Sequence, residues 1–413
     1  MERVLDTYRR AYSGLSREVW LLSIITLVHR SGTMVLPFLA LYLTESFGMS
    51  PTDVGWMLAL YGVGAILGSY GGGLLADRIG ALQAQTLSFV SSGILLITLG
   101  QIGHPVAFGM VLVLASMAFE SYRPANASAV AAVATDSTRF RAFALRRVAI
   151  NLGMTVGPAT GGLLATIDYG LLFWVNGGAC LVASVLMVYV MAKGILRLPD
   201  LEPSADDGQS AATPDASKVD ETRAPSPWRD GHFLRLIGLT TVQSVIFLQL
   251  LSSYPLTLHQ NLGHPEHVIG LVFAFNTLLI VLAEMALIET VSKIPPLRVV
   301  AFGMVLMGLG FGLLPAGEGM VFLLFTVLLW TVGEMLTHPL LEGIAASLAP
   351  ARARGAYMGL YTSTFSAALV LAPLLGNWAY EVLGWQILWP LNGCLALVVG
   401  LGFWALGRRE RQI

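Results

Sequence analysis

Charge is scarce in this sequence. Only 12% of its 413 residues are Asp, Glu, Lys or Arg, whereas 55% are hydrophobic, and the mean hydropathy is +0.71. A soluble domain usually carries about 25% charged residues. The composition therefore excludes an ordinary soluble fold and predicts an integral membrane protein that contacts the lipid bilayer.

Cysteine is also scarce, and the common catalytic patterns are missing. Cys180 and Cys394 both fall in apolar stretches, so we expect neither a disulfide nor a metal site. The sequence has no Walker loop, no catalytic-triad spacing and no basic patch for nucleic acid. His259, His264 and His267 share one loop, where a solvated position needs no metal. We therefore expect no enzyme activity, metal, cofactor or nucleic-acid partner.

Long apolar runs are what the sequence has instead. A helix needs about 20 apolar residues to cross a bilayer core of roughly 30 Å. Alternating ten-residue strands are absent from the pattern, so the predicted fold class is an all-α polytopic membrane protein with 12 transmembrane helices. We number these spans 1 to 12; they are predicted at 19–43, 52–76, 81–102, 105–133, 142–166, 170–193, 232–258, 267–291, 297–315, 319–348, 354–380 and 386–407.

The few basic residues are distributed unevenly. All 24 Lys and Arg residues except Arg30 and Arg123 lie at the termini, in the loops from even to odd spans, or at helix ends beside them. The opposite loops carry acids and histidines, such as Glu45 and Asp168. By the positive-inside rule, both termini are predicted to be cytosolic. We expect the protein in a bacterial cytoplasmic (inner) membrane.

One polar segment divides the spans into two sets of six. Residues 198–231 are rich in Asp, Ser, Pro and Ala and lack an apolar helical stripe, which is typical of a flexible linker. The predicted organisation is a cytosolic segment at 1–18, a six-helix bundle at 19–193, a cytosolic linker at 194–231, a second bundle at 232–407 and a cytosolic tail at 408–413.

The two halves look like repeats. Pro124 and Pro158 in spans 4 and 5 match Pro339 and Pro373 in spans 10 and 11 at an offset of 215 residues. The same offset relates further pairs and indicates duplication: Trp174 with Trp389, Gly161 with Gly376, and Arg78 with Lys293.

Two motifs identify a family resemblance. The loop after span 2 reads "GGLLADRIGALQAQ" and span 5 contains "NLGMTVGPATGG". With these motifs the chain resembles the major facilitator superfamily, and span 5 resembles its drug/proton antiporters. The resemblance assigns a gating role to Gly73, Asp77, Arg78 and Gly80, and an antiporter-type motif to Gly153, Gly157, Pro158 and Gly161.

The resemblance implies a fold and a function. It implies two pseudo-symmetric six-helix bundles that rock around a midplane site, with the proton gradient rather than a cofactor as energy source. It favours a monomeric exporter that exchanges protons for small amphiphilic or drug-like molecules. In the gating loop, Ala81 and Leu82 replace the family's basic pair, and Arg146 or Arg147 is the expected partner of Asp77.

Glu334 is the most informative charge within a predicted span. It lies in the middle of span 10, within "LLWTVGEMLTHPLLEG". A charge at this depth costs about 2.5–3.5 kcal/mol on insertion scales, because an apolar setting disfavours the ionised form. We interpret Glu334 as a proton-coupling site, as the resemblance also implies; a purely structural hydrogen bond is the alternative.

A second group of charges lies in spans 1 and 4. Glu120 and Arg123 are three residues apart on one helical face, so they can form an ion pair. Either the pair is permanent and structural, or Arg123 exchanges partners during transport and Glu120 contributes to proton coupling. Arg30 and His29 occupy span 1, where drug exporters often place an acid. This difference favours an anionic or zwitterionic substrate held by Arg30 and Arg123.

The remaining candidates for substrate binding are polar or aromatic residues at the depth of the spans: Tyr122, Asn151, Glu284, His338 and Tyr361. Three alternatives to drug export stay open. A proton symporter of peptides or organic anions would use the two arginines as an anion clamp. A lipid flippase would depend on amphiphiles, and a sensor with a transporter fold would bind ligand without flux.

Overall fold

The computed structural model describes residues 14–135, 138–196, 226–350 and 353–409. The outer parts of the predicted terminal segments, 1–13 and 410–413, and most of the predicted linker, 197–225, lie outside the described residues. The described part is helical and contains no strand. Its long helices are Arg17–Ser31 and Val35–Phe47 (span 1), Pro51–Ile79 (2), Ala81–Leu99 (3), Pro105–Val133 (4), Arg139–Ala165 (5), Gly170–Ala192 (6), Gly231–Leu248 (7), Glu266–Val291 (8), Pro296–Gly312 (9), Met320–Leu348 (10), Arg354–Leu383 (11) and Trp385–Arg409 (12).

The predicted fold class is confirmed. In the described part of the chain, 11 segments are long and apolar enough to cross a membrane, counting Arg17–Phe47 as one. Pro296–Gly312, at the position of predicted span 9, is apolar but shorter. The charge-poor composition therefore folds into the polytopic helical architecture that the hydropathy pattern predicts.

Span 1 is broken, although the sequence predicted one continuous helix. The helix ends at Ser31 and begins again at Val35. The break leaves backbone amides without helical partners, and the Asn176 side chain of span 6 accepts two of them, from Met34 at 3.4 Å and Val35 at 3.3 Å. A partner 141 residues away in sequence stabilises this break, so local pattern did not reveal it.

Span 7 is also broken, where residues 232–258 were predicted as one helix. The α-helix ends at Leu248, and a short helix Ser253–Leu256 and a π-helical turn Thr257–Asn261 follow. Pro255 explains the break, because its ring displaces the carbonyl four residues earlier in a helix. Gln249 holds the broken segment against span 12 through two hydrogen bonds with Asn392, at 3.0 and 2.8 Å.

The two halves meet along two symmetric seams. Spans 2 and 11 form one seam, and spans 5 and 8 form the other. A Cβ atom on Gly55 of span 2 would lie 2.6 Å from the Pro373 carbonyl oxygen of span 11. Gly270 of span 8 packs in the same way on the Pro158 carbonyl of span 5. The offset of 215 residues seen in the sequence relates these two contacts.

The seams are closed at one face of the molecule. We call the face with the N-terminus the inner face, and the other the outer face. At the outer face, the Thr52 amide donates to Glu381 across one seam at 2.8 Å, and the Tyr169 hydroxyl donates to Glu266 across the other at 2.9 Å. Toward the inner face, Ser69 on the seam side of span 2 and Thr362 of span 11 are both exposed. The structure is therefore closed on the outer side, and spans 2 and 11 separate toward the inner side.

Candidate functional site

Four charged side chains lie near the middle of their spans. Arg30 belongs to span 1, Glu120 and Arg123 to span 4, and Glu334 to span 10. Spans 1 and 4 belong to the N-terminal half and span 10 to the C-terminal half. The four residues therefore form two polar groups at similar depth, one in each half.

Glu120 is the negatively charged member of the N-terminal group and pairs with Arg123. Its Oε2 atom lies 2.6 Å from Arg123 Nε, and its Oε1 atom accepts a hydrogen bond from the Tyr61 hydroxyl at 3.4 Å. The Glu120 side chain is 7% exposed, whereas that of Arg123 is 48% exposed. The predicted ion pair is present, and Arg123 is its more exposed partner.

Arg30 is buried beside this pair, and no ion pair involves it among the described residues. Only 4% of its surface is exposed, and its guanidinium lies over the rings of Phe119 and Tyr122, at 5.5 and 5.3 Å from their centroids. Such cation–π contacts stabilise a desolvated cation, by about 2 kcal/mol or more. The Nε atom of Arg30 has no hydrogen-bond partner among the described residues. A buried guanidinium with a free donor is suited to bind an anionic group.

His29 does not line an open cavity in this state. It is fully buried, and its ring packs against those of Phe89, Phe119 and Tyr122 with centroids 4.5–4.8 Å apart. Neither ring nitrogen has a partner within the described ranges. Its predicted role in substrate binding would therefore require these aromatic rings to move.

Tyr122 belongs to a buried polar network on the inner side of the pair. Its hydroxyl donates to Thr26 at 2.9 Å, and Asn126 also donates to Thr26, at 3.2 Å. Asn126 donates to Gln85 at 3.1 Å and accepts a hydrogen bond from Arg146. This network links spans 1, 3, 4 and 5, so Tyr122 has a structural role here.

Glu334 has neutral partners. Its Oε2 atom accepts a hydrogen bond from Asn276 of span 8 at 2.8 Å, and the same amide contacts the Thr331 hydroxyl at 3.2 Å. No ion pair involves Glu334 within the described residues. Glu284 and Arg147 act on it electrostatically. A carboxyl group held by an amide at mid-depth can take up and release a proton without breaking an ion pair.

Glu284 and Arg147 form an ion pair between the two halves. Arg147 of span 5 contacts Glu284 Oε1 of span 8, on the inner side of the seam. This geometry differs from the predicted partnership of Arg147 or Arg146 with Asp77. Arg146 instead donates to Asn126. Asp77 is exposed at the inner end of span 2, and no ion pair involves it in the part of the chain described.

His338 faces the centre from span 10, four residues after Glu334. Its Nε2 atom lies 2.9 Å from the side-chain amide nitrogen of Gln243 in span 7, and its ring meets Phe247 edge to face. Asn151 and Tyr361 are partly buried. The electrostatic neighbour of Tyr361 is Glu342, closer to the inner end of span 10. The structure thus groups His338 with Gln243, and places Tyr361 nearer the inner face.

The span 5 motif is a packing surface for the broken span 1. A Cβ atom on Gly157 would lie 2.7 Å from the Thr33 carbonyl oxygen, and one on Gly161 would lie 2.6 Å from Met34 Cβ. Gly153 packs directly on Arg30. Pro158 contacts span 8 through its carbonyl group. The motif therefore lets spans 1, 5 and 8 approach closely beside the buried Arg30.

The gating motif ends span 2. Gly80 has φ = +91°, a conformation that favours glycine, and Gly73 faces Pro124 of span 4. Arg78 is exposed at the same helix end as Asp77. In this outward-closed state, the motif shapes the turn to span 3, and both charges are exposed.

Sequence reasoning missed Asn276, Thr331 and Gln243. Each is a polar residue inside an apolar span, and that is a usable signal, since such residues rarely face lipid. Among the described residues, no group of three or more His, Cys, Asp or Glu side chains could hold a metal ion.

Comparison with known proteins decides the family. The family model for the Major Facilitator Superfamily matches residues 21–256 and 231–413. The chain belongs to the major facilitator superfamily. It is therefore a membrane transporter of that superfamily, and its relatives imply small-molecule substrates.

Bacterial relatives match over almost the whole chain. The uncharacterised MFS-type transporter YqjV of Bacillus subtilis is 23% identical, covering 95% of this chain and 94% of its own. A Na(+), Li(+), K(+)/H(+) antiporter of Planococcus maritimus is 23% identical, covering 89% and 90%. The multidrug resistance protein MdtH of Photorhabdus laumondii is 24% identical, covering 92% and 90%.

Solved structures agree on the fold. A POT family transporter in complex with 5-aminolevulinic acid superposes with a TM-score of 0.79 at 16% identity, covering 96% of this chain and 97% of that one. The nucleoside transporter NupG superposes with a TM-score of 0.75 at 13% identity, covering 95% and 99%. At these identities the likeness concerns the fold alone.

Proposed function

We propose that this protein is a proton-coupled exporter that works by alternating access and exchanges protons for small amphiphilic molecules. One observation carries the proposal: Glu334 is a mid-depth carboxyl group that Asn276 holds at 2.8 Å and that no arginine neutralises within the described residues. Desolvation disfavours a lone carboxylate, so proton binding is the simplest way to keep this group at that depth.

Glu120 is the weaker candidate for proton coupling. Its carboxylate already has Arg123 at 2.6 Å and the Tyr61 hydroxyl as partners. Protonation of Glu120 would leave Arg123 without its counter-charge, whereas protonation of Glu334 leaves no unpaired cation. We assign the principal proton to Glu334, and to Glu120 the positioning of Arg123.

The basic group suggests the chemistry of the substrate. Arg30 is buried with an Nε donor that has no partner among the described residues, and Arg123 is half exposed. Phe119 and Tyr122 add apolar surface around Arg30. An amphiphile with an acidic or zwitterionic head would match this combination. The substrate would reach the site from the inner face, where spans 2 and 11 separate.

Exchange for protons gives the export direction a driving force. Each charge that crosses 100 mV supplies about 2.3 kcal/mol, so one proton per cycle sustains a useful gradient. Relatives named as a cation/proton antiporter and as multidrug resistance proteins support this direction. We further propose a bacterial cytoplasmic membrane and cytosolic termini, on the basis of the basic inner loops.

The test is substrate-dependent proton movement in proteoliposomes that contain a lumenal pH dye. Panels of lipophilic cations, acidic amphiphiles and dipeptides are added to wild-type protein and to the Glu334→Gln variant. We expect acidic or zwitterionic amphiphiles to move protons in the antiport direction in the wild type, with no signal in the variant. An unchanged signal in the variant would remove Glu334 from the mechanism.

A proton symporter of peptides or organic anions is the second candidate, because the free donor of Arg30 would also bind a carboxylate. The same panels distinguish it. Symport would make substrate and proton enter the lumen together, and only peptides or organic anions would act. Proton movement in the opposite sense to substrate would exclude symport.

A further inference from the structure

One histidine lies between the two halves at the outer face. The Nε2 atom of His259, at the end of span 7, is 4.0 Å from Glu45 of span 1 and 3.9 Å from Glu266 of span 8. Its Nδ1 atom contacts the backbone carbonyl of His264 at 3.2 Å. His259 therefore touches a carboxylate of the N-terminal half and one of its own half, within the closed end of the molecule.

The three side chains are accessible to protons from outside. His259 is 26% exposed, Glu45 is 46% exposed and Glu266 is 15% exposed. The Tyr169 hydroxyl from the N-terminal half also donates to Glu266, at 2.9 Å. Burial and the neighbouring carboxylates raise the pKa of Tyr169, so this hydroxyl stays protonated and keeps donating. The cluster thus contains two contacts between the halves. The Tyr169–Glu266 hydrogen bond does not need a charge on His259, whereas attraction between His259 and Glu45 does.

We propose that His259 senses external pH, and that its protonation fastens the outer closure by placing a positive charge between Glu45 and Glu266. Histidine is the side chain that normally gains charge between pH 5 and 8. When His259 is charged, it attracts the Glu45 carboxylate across the boundary between the halves. When it is neutral, that attraction is lost, and the outer side opens more readily. The proposal does not depend on Glu334 or on the substrate.

The direction of the pH effect follows from the other charges around the cluster. Burial lowers the pKa of His264, which disfavours a second positive charge beside His259. External acid therefore increases attraction within the cluster and stabilises the outer-closed state. The other titratable groups on the adjoining elements are Tyr42 on span 1, Asp168 in the loop before span 6, His267 on the first turn of span 8, and Tyr380 and Glu381 at the end of span 11. The Tyr380 hydroxyl donates to Gln260 and Asn261.

The test measures the outer opening directly. Spin labels are placed by Gln101→Cys and Gln386→Cys, which mark the outer ends of the two halves on exposed positions. Cys394 is exposed and is replaced by Ala, whereas Cys180 is buried and is retained. Distances are measured by double electron–electron resonance in nanodiscs at pH 5.5 and pH 8. The Glu334→Gln substitution is present throughout, so that the membrane-embedded carboxyl group does not contribute.

We expect the ratio of outer-closed to outer-open protein to rise about two- to fivefold at pH 5.5, the range typical of exposed ion pairs. His259→Gln should remove the change, and Glu45→Gln, at a half-exposed position, should reduce it without affecting folding. His104→Gln is the matched control, because His104 lies exposed in the loop between spans 3 and 4 on the same face. An absent change in the parent protein, or an undiminished one in His259→Gln or Glu45→Gln, would overturn the proposal.

Discussion

The two halves of this transporter treat a mid-depth carboxyl group differently. In the N-terminal half, Glu120 lies 2.6 Å from Arg123 and also accepts a hydrogen bond from Tyr61. In the C-terminal half, Glu334 is held by the Asn276 amide. The first carboxylate is neutralised by a fixed cation, whereas the second can be neutralised by a proton. The two bundles are similar, and the different partners of Glu120 and Glu334 give these two carboxyl groups different roles.

The seams between the halves show a related difference. In the seam of spans 5 and 8, Thr155 and Thr277 are hydrogen-bonded at 2.9 Å, and Arg147 contacts Glu284. At the offset of 215 residues, the seam of spans 2 and 11 has Ser69 and Thr362 in place of this ion pair, and both are exposed. The ion pair closes one seam toward the inner face, while the other seam opens there.

The largest effect is expected for Glu334→Gln, because it removes the titrating group and keeps its shape. Proton-coupled flux should fall to background, while expression and thermal unfolding stay near those of the wild type. Glu120→Gln is the matched variant in the other half, and there we expect slower flux that still depends on the pH gradient. Equal loss of pH dependence in both variants would show that Glu334 and Glu120 do not differ in proton coupling.

The next largest effect is expected for Gly157→Ala, at a glycine that the C-terminal half does not share. Gly157 of span 5 corresponds to Ala372 of span 11, and a Cβ atom on Gly157 would lie 2.7 Å from the Thr33 carbonyl. Gly157→Ala should destabilise the protein by about 1–3 kcal/mol through overpacking. Thermal unfolding of the purified protein measures this cost. Gly71→Ala is the control, since its Cβ would meet nothing within 4 Å; equal melting shifts would refute the packing role.

A smaller effect is expected for the ion pair between the halves. Arg147 is 55% exposed, so the loss of its partner in Glu284→Gln should cost only about 1 kcal/mol. The same substitution should loosen the inner side of spans 5 and 8, as measured by distances between spin labels there. The exchanged pair Arg147→Glu with Glu284→Arg should restore the wild-type distances. Failure of the exchanged pair to restore them would assign the residues to substrate binding instead.

The smallest effect is expected for Asp77→Asn. In this state Asp77 is exposed and forms no ion pair within the described ranges. The free energy of unfolding should change by no more than about 0.5 kcal/mol, as for ordinary surface substitutions. Chemical denaturation in the same detergent provides the measurement. A larger loss of stability would show that Asp77 holds this closed state together.

Most of the fold could be predicted from sequence, because membrane insertion depends on length and hydropathy alone. The repeat also appeared in the sequence, since paired prolines and glycines mark contacts that recur in both halves. The break in span 1 was missed because its stabilising partner, Asn176, is distant in the chain. The break in span 7 had a local signal, Pro255, which the hydropathy pattern does not register.

The candidate site was predicted in part. Mid-span charges were identified because each is costly in lipid, and the pair of Glu120 with Arg123 followed from helical spacing. The partners Asn276 for Glu334 and Glu284 for Arg147 depend on how separate spans pack, which no local pattern encodes. For the same reason, the sequence suggested Arg146 or Arg147 as the partner of Asp77 and His29 as a substrate-binding residue, whereas in this state Arg147 contacts Glu284 and aromatic rings enclose His29.

The central claim is that Glu334, and not Glu120, is the carboxyl group that binds and releases the proton. Infrared difference spectroscopy of the purified protein in lipid, after a step in pH, observes protonated carboxyl groups directly. The account predicts a carboxyl band that changes with pH in the wild type, disappears in Glu334→Gln and persists in Glu120→Gln. A band that persists in Glu334→Gln and disappears in Glu120→Gln would contradict it.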